Sequence, residues 1–505
     1  MKRWVMILVV VAAALFTQPA RAHVGSPNVF FEGHAGPYPV HVVIHPAEVI
    51  PGLAELSIRI DAENIKTVTA LPIKWNAGRM GAPPPDIAKP VRGDPGLYSA
   101  QLWFMEPGAQ SVELEVQGPA GAGRVVIPVD AVATRVLALP KALGVGLAVL
   151  GLILGGLLIS IVGSAVRESV LTPGSEPTPT RRLYALGGMG LGTVLLVALV
   201  WGGKNWWDAE AADYKNNRLY HPISAKADVR TNGDKTSLLL AITDPAFART
   251  APLVPDHGKL MHLFLVREPG LNCFAHLHPV KLDRASFDVA LPKLPAGLYR
   301  LYADITYETG LSDTLTCRVT IPEVTTGATE ADPDDSATVA PPMGRCDGTS
   351  FPLSQDYVMT RTGPERCRVN QPTNLHFVVH DSRGKEVSLE TYLGMRGHLA
   401  LTREDGAVFT HLHPGGTASM AAMQLATYRI EGKLPLKAAF GADEPICQLP
   451  AASSADQGWI GGNPSAEGVS FPYAFPKPGR YRLWVQVKIE GGIQTGVFDI
   501  DVDGA

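Results

Sequence analysis

Two uncharged apolar runs set the strongest limit on how this chain can fold. Ala142–Val162 has 21 residues and Leu183–Trp201 has 19, and neither run contains a charged side chain. As α-helices they would be about 31 Å and 28 Å long, close to the hydrocarbon thickness of a bilayer. Neither has a polar face, which disfavours two core helices of a soluble protein. The sequence therefore predicts two transmembrane helices, assigned to 136–163 and 183–203.

The segment between the predicted helices, 164–182, is rich in arginine: it contains Arg167, Arg181 and Arg182. Because positively charged loops stay in the cytoplasm, the regions before and after the helix pair are expected on the other side. We therefore expect a protein of the cytoplasmic (inner) membrane with its soluble domains on the periplasmic or extracellular side. The two runs carry none of the ionisable side chains that mark ion paths, so transport through this pair alone is not expected.

The N-terminus has the pattern of an export signal. Lys2 and Arg3 precede the apolar run Val5–Phe16, and small residues follow at Ala20 and Ala22. Twelve apolar residues are too few to span a bilayer, which makes an uncleaved anchor the weaker alternative. The sequence predicts a signal peptide over 1–22, and cleavage after it would make His23 the first residue.

The charge balance argues against a polyanionic partner. The chain has 505 residues, with 44 basic and 48 acidic side chains and a net charge of −4, so no broad positive field is available to bind nucleic acid. The sequence also contains no P-loop, dinucleotide fingerprint or nucleophile elbow. We expect no nucleic-acid partner and no enzymatic activity.

One phrase recurs near the end of each soluble region. Each copy is a glycine turn, a tyrosine and a strand in which every second residue is apolar. The copies are Asp94–Phe104, Pro295–Ile305 and Lys477–Val487, with tyrosines Tyr98, Tyr299 and Tyr481. Short strands between glycine and proline turns predict a mainly β protein made of immunoglobulin-like antiparallel β-sandwiches. We assign these modules to 23–135, 222–322 and 345–503, with a flexible acidic linker over 323–344.

A histidine-rich pattern occurs in both the second and the third module. The copies are Gly258–Pro279, which contains "FAHLHP", and Met395–Pro414, which contains "FTHLHP". In the later copy, Asp405-Gly406 between two alternating strands predicts a hairpin in which paired residue numbers sum to 811. This register places His398 opposite His413 and Ala400 opposite His411, so the three histidines share one face.

The earlier copy follows the same pattern with one difference. The separation of His262 and His276 is 14 residues, where the corresponding separation in the later copy is 13. One extra loop or bulge residue is therefore needed to bring His262 opposite His278. His276 and His278 are two apart on a strand and must point the same way.

These six histidines are candidate metal ligands, because neutral imidazoles bind copper and zinc and three of them leave a coordination position open. Copper is the favoured ion and zinc the alternative. Met395 could add a thioether, and His23 could add an amine and an imidazole if the signal is cleaved there. The alternative is that the histidines hydrogen-bond turns and backbone in a structural role. The predicted ligands are His262, His276, His278, His398, His411 and His413.

The five cysteines show no CxxC spacing, which removes zinc ribbons and thioredoxin-type sites. Cys273 and Cys317 fall in one module. In an oxidising compartment a disulfide between them is expected, and the strand period points Cys273 away from His276 and His278.

The segments "MHLFLV" with "FAHLHP", and "YLGMRGHLAL" with "VFTHLHP" and "PGRYRLWVQV", resemble periplasmic domains of the YtkA and FixH-like type. Such domains occur in bacterial envelope proteins associated with copper or other heavy metals. The resemblance covers the two C-terminal modules, about half of the chain. It implies immunoglobulin-like sandwiches and metal handling through the six histidines.

Three functions follow as hypotheses. The first is a membrane-anchored metal-binding protein, handling copper or another heavy metal by sequestration or by transfer to an envelope partner such as an efflux pump or an oxidase. The second is an accessory or assembly protein whose histidines are structural or form a pH-sensitive contact. The third, an oxidase built on His23, lacks an accompanying general acid or base in the sequence.

Overall fold

The computed structural model of the chain describes residues 28–172, 174–233, 235–326, 332–449 and 468–504. The predicted signal peptide and His23 lie outside these residues. The chain divides into two compact units: the segment Val132–Tyr220 forms one, and the regions before and after it form the other.

The smaller unit contains two long helices. α1 is Lys141–Glu168 and α2 is Pro179–Asp213, which continues as a π-helical turn over Tyr214–Arg218. Both are long and apolar enough to cross a membrane, a finding that rests on length and composition. α2 begins four residues earlier than predicted, because Pro179 is the first helical residue and the Thr178 side chain caps the helix by accepting from the amide of Arg181.

The first module is a sandwich of two antiparallel sheets, ordered β1-β2-β3-β7-β6 and β5-β4-β8-β9. Its strands are β1 Val29–Ala35, β2 Tyr38–His45, β3 Gly52–Ile60, β4 Thr67–Lys74, β5 Asp86–Ile87, β6 Lys89–Pro90, β7 Leu97–Phe104, β8 Gly108–Gly118 and β9 Gly121–Ala131.

The second module has the same two-layer construction, with one sheet ordered β10-β11-β16-β15 and the other β12-β17-β13-β14-β19, to which β18 adds by pairing with β17. Its strands are β10 Ala225–Asn232, β11 Lys235–Ile242, β12 Leu253–Val254, β13 His262–Glu268, β14 Cys273–Leu277, β15 Val280–Lys281, β16 Ser286–Ala290, β17 Gly297–Tyr307, β18 Ser312–Ile321 and β19 Ser336–Val339.

The third module repeats the arrangement, with sheets ordered β20-β21-β23-β26 and β22-β28-β27-β24-β25. Only β22 and β28 pair in parallel among its described strands. Its strands are β20 Ser350–Pro352, β21 Tyr357–Thr362, β22 Arg366–Arg368, β23 Thr373–Asp381, β24 His398–Arg403, β25 Phe409–Leu412, β26 Val469–Tyr473, β27 Gly479–Ile489 and β28 Gly492–Asp503. The prediction of a mainly β chain with several antiparallel sheets and two long apolar helices is confirmed.

A helix also occurs in the third module, where only strands were expected. α3, Met420–Ile430, lies in the long connection between β25 and β26. The Ser419 hydroxyl caps it by accepting from the amide of Ala422 at 3.1 Å. The sequence of this connection lacks the two-residue apolar period of a strand. Its backbone donors and acceptors are instead paired within a helix.

The tyrosines of the recurring phrase have a common structural role in two modules. The Tyr299 hydroxyl donates to the carbonyl of Pro295 at 2.7 Å, and the Tyr481 hydroxyl donates to the carbonyl of Lys477 at 2.8 Å. Each bond joins the tyrosine to the turn four residues earlier, as in the tyrosine corner of immunoglobulin-like domains. In both modules this contact holds the turn that begins a central strand, β17 or β27.

The acidic segment between the second and third modules contributes a strand to the second module. Ser336–Val339 forms β19, which pairs with β14 and extends the histidine-bearing sheet. Composition had indicated a flexible linker over 323–344. The difference arises because the open edge of β14 offers backbone donors and acceptors that the segment can satisfy.

The predicted disulfide between Cys273 and Cys317 is wrong: both cysteines are free. Cys273 is on β14 and Cys317 is on β18, and β13 and β17 lie between those strands in one sheet. Three strand spacings amount to about 14 Å, while a disulfide needs Cα atoms within about 7 Å. The predicted orientation of Cys273 is confirmed, since its side chain lies in the core of the second module.

The second and third modules pack against each other through the sheets that carry the histidines. Alternate residues of β13 face in opposite directions: Leu263 points into its own sandwich, and Phe264 points to the other module. At this interface Phe274 stacks on Trp484 with ring centroids 4.7 Å apart, and Tyr302 stacks on Phe409 at 3.9 Å. The face of each sheet that does not form its own core is therefore buried by the other module.

The first module contacts the histidine-bearing part of the third. The amide of Glu32, on β1, donates to the carbonyl of Gly415 at 2.9 Å, and the amide of Thr417 donates to the carbonyl of Phe30 at 3.0 Å. Gly416 has a φ of 121°, and a Cβ there would lie 1.8 Å from the carbonyl oxygen of Phe30. Glycine is required because the β1 backbone approaches the loop after His413 this closely.

Candidate metal centre

The predicted register of the third-module hairpin is confirmed. Leu399 pairs with Leu412 and Ala400 pairs with His411, so paired numbers sum to 811. Leu399 and Leu412 point into the core of the third module, and the histidines occupy the opposite face.

The second-module hairpin has the register expected if one extra residue lies in its loop. Leu263 pairs with Leu277, which aligns His262 with His278. Seven residues separate the paired Val266 and Phe274, and six separate the last pair of the other hairpin. The loop absorbs the additional residue, and the strands themselves continue without a bulge.

Each hairpin brings three imidazoles together. In each set, one ligand atom from each histidine lies within 4.8 Å of the others, and the side chains are buried. We name these sets the module-2 triad, His262, His276 and His278, and the module-3 triad, His398, His411 and His413.

The two triads are adjacent, which the sequence did not predict. The ring centroids of His262 and His411 are 5.4 Å apart, and those of His276 and His411 are 5.7 Å apart. These distances across the module interface match the 5.3 Å between His262 and His276 inside one triad. Six histidines therefore form one cluster between two domains.

In each triad, two imidazole nitrogens face each other closely. His262 Nδ1 lies 3.1 Å from His276 Nε2, and His398 Nδ1 lies 3.1 Å from His411 Nε2. Three nitrogens around a tetrahedral ion with bonds of about 2.0–2.1 Å would be separated by about 3.3 Å. The spacing of each pair therefore suits a shared metal ion.

The outer nitrogen of the first histidine in each triad points to a backbone carbonyl six residues earlier. His262 Nε2 lies 3.3 Å from the oxygen of Asp256, and His398 Nε2 lies 3.2 Å from the oxygen of Tyr392. A carbonyl oxygen only accepts, so the proton is on this outer nitrogen. Nδ1 of both rings then presents a lone pair to the inside of its triad.

The second histidine of each triad is oriented by a side chain from the other module. His276 Nδ1 donates to Gln486 Oε1 at 2.8 Å, and the amide nitrogen of Gln486 donates to the hydroxyl of Ser336. His411 Nδ1 lies 3.4 Å from the carboxylate of Asp304. Contacts of this kind orient metal-binding histidines and increase their basicity.

The third histidine of each triad also has its outer nitrogen occupied. His278 Nδ1 lies 2.9 Å from the Asp335 carboxylate, and His413 Nδ1 lies 3.2 Å from the carbonyl of Ala418. The remaining nitrogen, Nε2, is buried in both rings and has no hydrogen-bond partner among the described residues. Buried polar atoms are normally paired, so an orphan aimed into a cluster of imidazoles indicates a ligand position.

Together these contacts conflict with a purely structural role for the module-2 triad. Oxygen acceptors hold the protons of His262 and His276 on their outer nitrogens. The two inner nitrogens, 3.1 Å apart, then both carry lone pairs and cannot hydrogen-bond each other. A cation between them removes this repulsion.

Burial keeps most of the cluster in its neutral, ligand-competent form. Loss of hydration, with repulsion from neighbouring imidazoles, lowers the pKa of five triad members, that of His413 to about 4. A neutral imidazole is the form that binds metals. The five are His262, His276, His398, His411 and His413.

A cavity of about 150 Å³ reaches the cluster where all three modules meet. It touches one histidine of the module-2 triad and two of the module-3 triad. Its lining includes the ammonium group of Lys259, which pairs with Asp332, and four carboxyl groups, those of Asp130, Asp256, Asp304 and Asp313. Burial raises the pKa of Asp130 and of Asp304 to about 7. The chemistry of the lining suits cations.

His257 was missed in the sequence reasoning, although it lies inside the cluster. Its ring centroid is 5.2 Å from that of His413 and 5.5 Å from that of His398. It precedes β13 and is outside the repeated HxH pattern, so the hairpin period carries no information about it. Met395 lies in the turn before β24, and its role as a ligand stays a prediction, as does that of His23.

Comparisons with known proteins leave the function open. Residues 354–442, in the third module, match the family model described as a domain of unknown function (DUF8832). No curated protein matches the chain. Among solved structures, it is similar to dimeric latent PorU from Porphyromonas gingivalis (7% identity, TM-score 0.15) and to the endo-fucoidan hydrolase MfFcnA4 of glycoside hydrolase family 107 (9% identity, TM-score 0.16).

Both alignments cover 92% of this chain. They cover 32% of PorU and 43% of the hydrolase, so the chain spans less than half of either protein. Similarity at these TM-scores carries no functional argument.

Proposed function

We propose that this protein binds two metal ions, one in each triad, and that it holds or passes copper. The proposal rests on one observation above all: in the module-2 triad, two inward lone pairs lie 3.1 Å apart on rings whose protons are held outside. The same donor geometry recurs in the module-3 triad. Two independent hairpins with one arrangement are unexpected for histidines that only fill space.

The charges around the cluster favour a cation of low charge. Asp335 contacts His278, and Asp304, whose pKa is raised to about 7, contacts His411. A carboxylate beside each triad offsets part of the cost of burying a positive ion, and the single charge of Cu(I) would cost less to bury than the charge of a divalent ion. Imidazole binds both copper and zinc, so zinc binding is the competing outcome.

The setting of the sites supports handling at a membrane surface. The chain contains two helices apolar enough to cross a bilayer. The resemblance of the two histidine modules to YtkA and FixH-like periplasmic domains agrees with copper or heavy-metal handling in the bacterial envelope. In this proposal the chain is anchored in the cytoplasmic membrane and passes its ions to, or receives them from, an efflux pump or an oxidase.

The experiment is a titration of the full chain in detergent with Cu(I), Cu(II) and Zn(II) under competition from a chelator. We expect two Cu(I) ions per chain. His276→Ala/His278→Ala and His411→Ala/His413→Ala should each remove one ion. The matched control is His376→Ala/His380→Ala, which removes two histidines of β23 that belong to neither triad.

Folding of each variant is checked by thermal unfolding of the chelator-treated protein, and glutamine replacements keep more of the side-chain volume if alanine destabilises the core. Binding of two ions, lost one at a time, supports the proposal. Binding no tighter than about 10 μM by the folded wild-type chain would contradict it and favour an accessory or assembly protein with structural histidines.

A further inference from the structure

His257 is a buried histidine without a hydrogen bond from either ring nitrogen to any described residue. Its side chain is only 1% exposed. Its backbone φ is 52°, in the left-handed region that side chains other than glycine rarely adopt. Buried polar groups are normally hydrogen-bonded, so a buried imidazole that lacks such a bond beside other imidazoles indicates a ligand position.

The ring lies against two members of the module-3 triad, although its residue belongs to the second module, and its ligand atom lies within 4.8 Å of those of His413 and Asp256. It is 5.2 Å from His413 and 5.5 Å from His398 between centroids. The members of that triad are 4.5–5.3 Å from one another. The nearest ring of the module-2 triad, that of His262, is farther away at 6.3 Å.

The third module has the same turn with a different residue. Asp256 bridges to Lys259 ahead of β13, and Tyr392 bridges to Met395 ahead of β24. The second residue of each turn is left-handed, with φ of 52° at His257 and 47° at Leu393. A glycine with positive φ follows in both copies. Leu393 is therefore the structural counterpart of His257, and it has no ligand atom.

The carboxylate beside His257 is held by the helix of the third module. Asp256 Oδ1 accepts from the amide of Ala421, in the first turn of α3, at 2.8 Å. The same oxygen lies 3.9 Å from His257 Nε2. A helix N-terminus stabilises the negative charge there, and that charge stabilises a cation at the adjacent imidazoles.

We propose that His257 is a fourth imidazole ligand of the module-3 triad, so that the two metal sites are chemically different. This inference rests on the proposed function. The module-3 site has four imidazoles drawn from two modules. The module-2 site has three imidazoles, because Leu393 stands at the position equivalent to that of His257.

The difference separates the tasks of the two sites. Four protein ligands close a coordination sphere, and three leave a position for an incoming ligand. The module-3 site would retain its ion and link the second and third modules through it. The module-2 site would exchange its ion more readily, through the cavity that its His262 lines.

The test uses glycine at the two equivalent positions. His257→Gly removes the imidazole at a backbone conformation that glycine adopts freely, and Leu393→Gly makes the same backbone change without removing a ligand. Cu(I) affinity and release into a chelator are measured on the full chain in detergent. We expect His257→Gly to lower the affinity of one site by at least about 10-fold, since loss of even an outer contact of a metal ligand costs about 10–100-fold, and to speed its release. Leu393→Gly should change neither quantity.

Two further measurements separate a ligand from a packing residue. Added imidazole should restore slow release in His257→Gly and leave Leu393→Gly and the wild-type chain unchanged. X-ray absorption of the doubly loaded chain should show about three and a half nitrogen ligands per copper, falling to about three in His257→Gly.

Binding of two ions with equal release from wild type, His257→Gly and Leu393→Gly would overturn this inference and leave the proposed function standing. A folded wild-type chain that binds no copper would overturn both. Loss of affinity in His257→Gly without rescue by imidazole and without a change in coordination number would assign His257 a packing role, against the proposal.

Discussion

Gln486, in the third module, holds the ring of His276, in the second, through a hydrogen bond of 2.8 Å. The reverse contact also exists, because Asp304 of the second module lies 3.4 Å from His411 of the third. Gln486 pairs with His398 across β27 and β24, and Asp304 pairs with His262 across β17 and β13. In each module, the residue paired with the first histidine of the triad therefore orients the second histidine of the triad in the other module.

This crossing predicts that a substitution in one module affects metal binding in the other. Gln486→Leu should weaken the module-2 site about 10–100-fold, because His276 loses the acceptor that fixes its tautomer. The module-3 site, whose histidines Gln486 does not orient, should change much less. Competition titration of each site, with the other removed by its double histidine variant, measures the effect. An equal loss at both sites would show that Gln486 acts through folding instead.

Stability of the metal-free chain should fall as the pH falls from about 6.5 to about 4. Burial lowers the pKa of His413 from 6.5 to about 4, so the unfolded state binds a proton in this window and the folded state does not. The contribution of His413 is complete above pH 6.5, is lost through pH 4, and is on the order of 3 kcal/mol. Four other triad members shift in the same direction.

Two carboxyl groups oppose this trend. The pKa of Asp130 and of Asp304 is raised to about 7, so each contributes stability below its unfolded pKa of 3.8, and that contribution is lost as the pH rises through 7. Because the shifted histidines outnumber them, we expect a net loss on acidification. Urea unfolding of the chelator-treated chain at pH 7, 6 and 5 measures it, and Asp130→Asn should make the loss steeper. Constant stability from pH 7 to 5 would contradict the burial of neutral imidazoles.

The acidic cavity should speed loading of the ions. At pH 8, above the raised pKa of Asp130, Asp313→Asn combined with Asp130→Asn removes two carboxylates that attract cations to the histidines. We expect a lower association rate for Cu(I) at low salt and a smaller difference at high salt, since salt screens such attraction. Stopped-flow mixing measures the rate, and Asp94→Asn, a substitution on the surface of the first module, is the control. Unchanged association rates for Cu(I) at low salt would show that ions do not enter through the cavity.

The tyrosine corners should contribute measurably to stability. Tyr481→Phe and Tyr299→Phe each remove one hydrogen bond to a turn carbonyl, which should cost about 1 kcal/mol of unfolding free energy. Tyr98 has the same position in the first module, but its hydroxyl bonds to no described residue, so Tyr98→Phe should be close to neutral. Urea unfolding measures the free energy of unfolding of the three variants. Equal losses in all three would show that the two hydrogen bonds do not stabilise the protein.

The sequence was sufficient for the hairpins, because their information is local. Alternation of apolar residues and the Asp405-Gly406 turn determined the register, which in turn placed three histidines of the third module on one face. The same reasoning, with one added loop residue, placed those of the second. The sequence was less informative in segments without a regular apolar period, and for this reason α3 was not predicted.

Contacts between modules could not be obtained in this way. Alternation separates a core face from an outer face, but it does not say what covers the outer face. The aromatic contacts of Phe274 with Trp484 and of Tyr302 with Phe409 bury both outer faces together. The failed pairing of Cys273 with Cys317 has the same origin, since sharing a module does not mean being adjacent in a sheet.

The sequence by itself determined a mainly β chain, two apolar helices and two sets of three histidines, each on one face of a hairpin. Only the tertiary structure decided that the two sets meet, that Gln486 and Asp304 cross between modules, and that His257 joins the cluster. The physical reason is range: a strand's periodicity acts over neighbouring residues, whereas the packing of two sandwiches depends on the shapes of whole surfaces far apart in the chain.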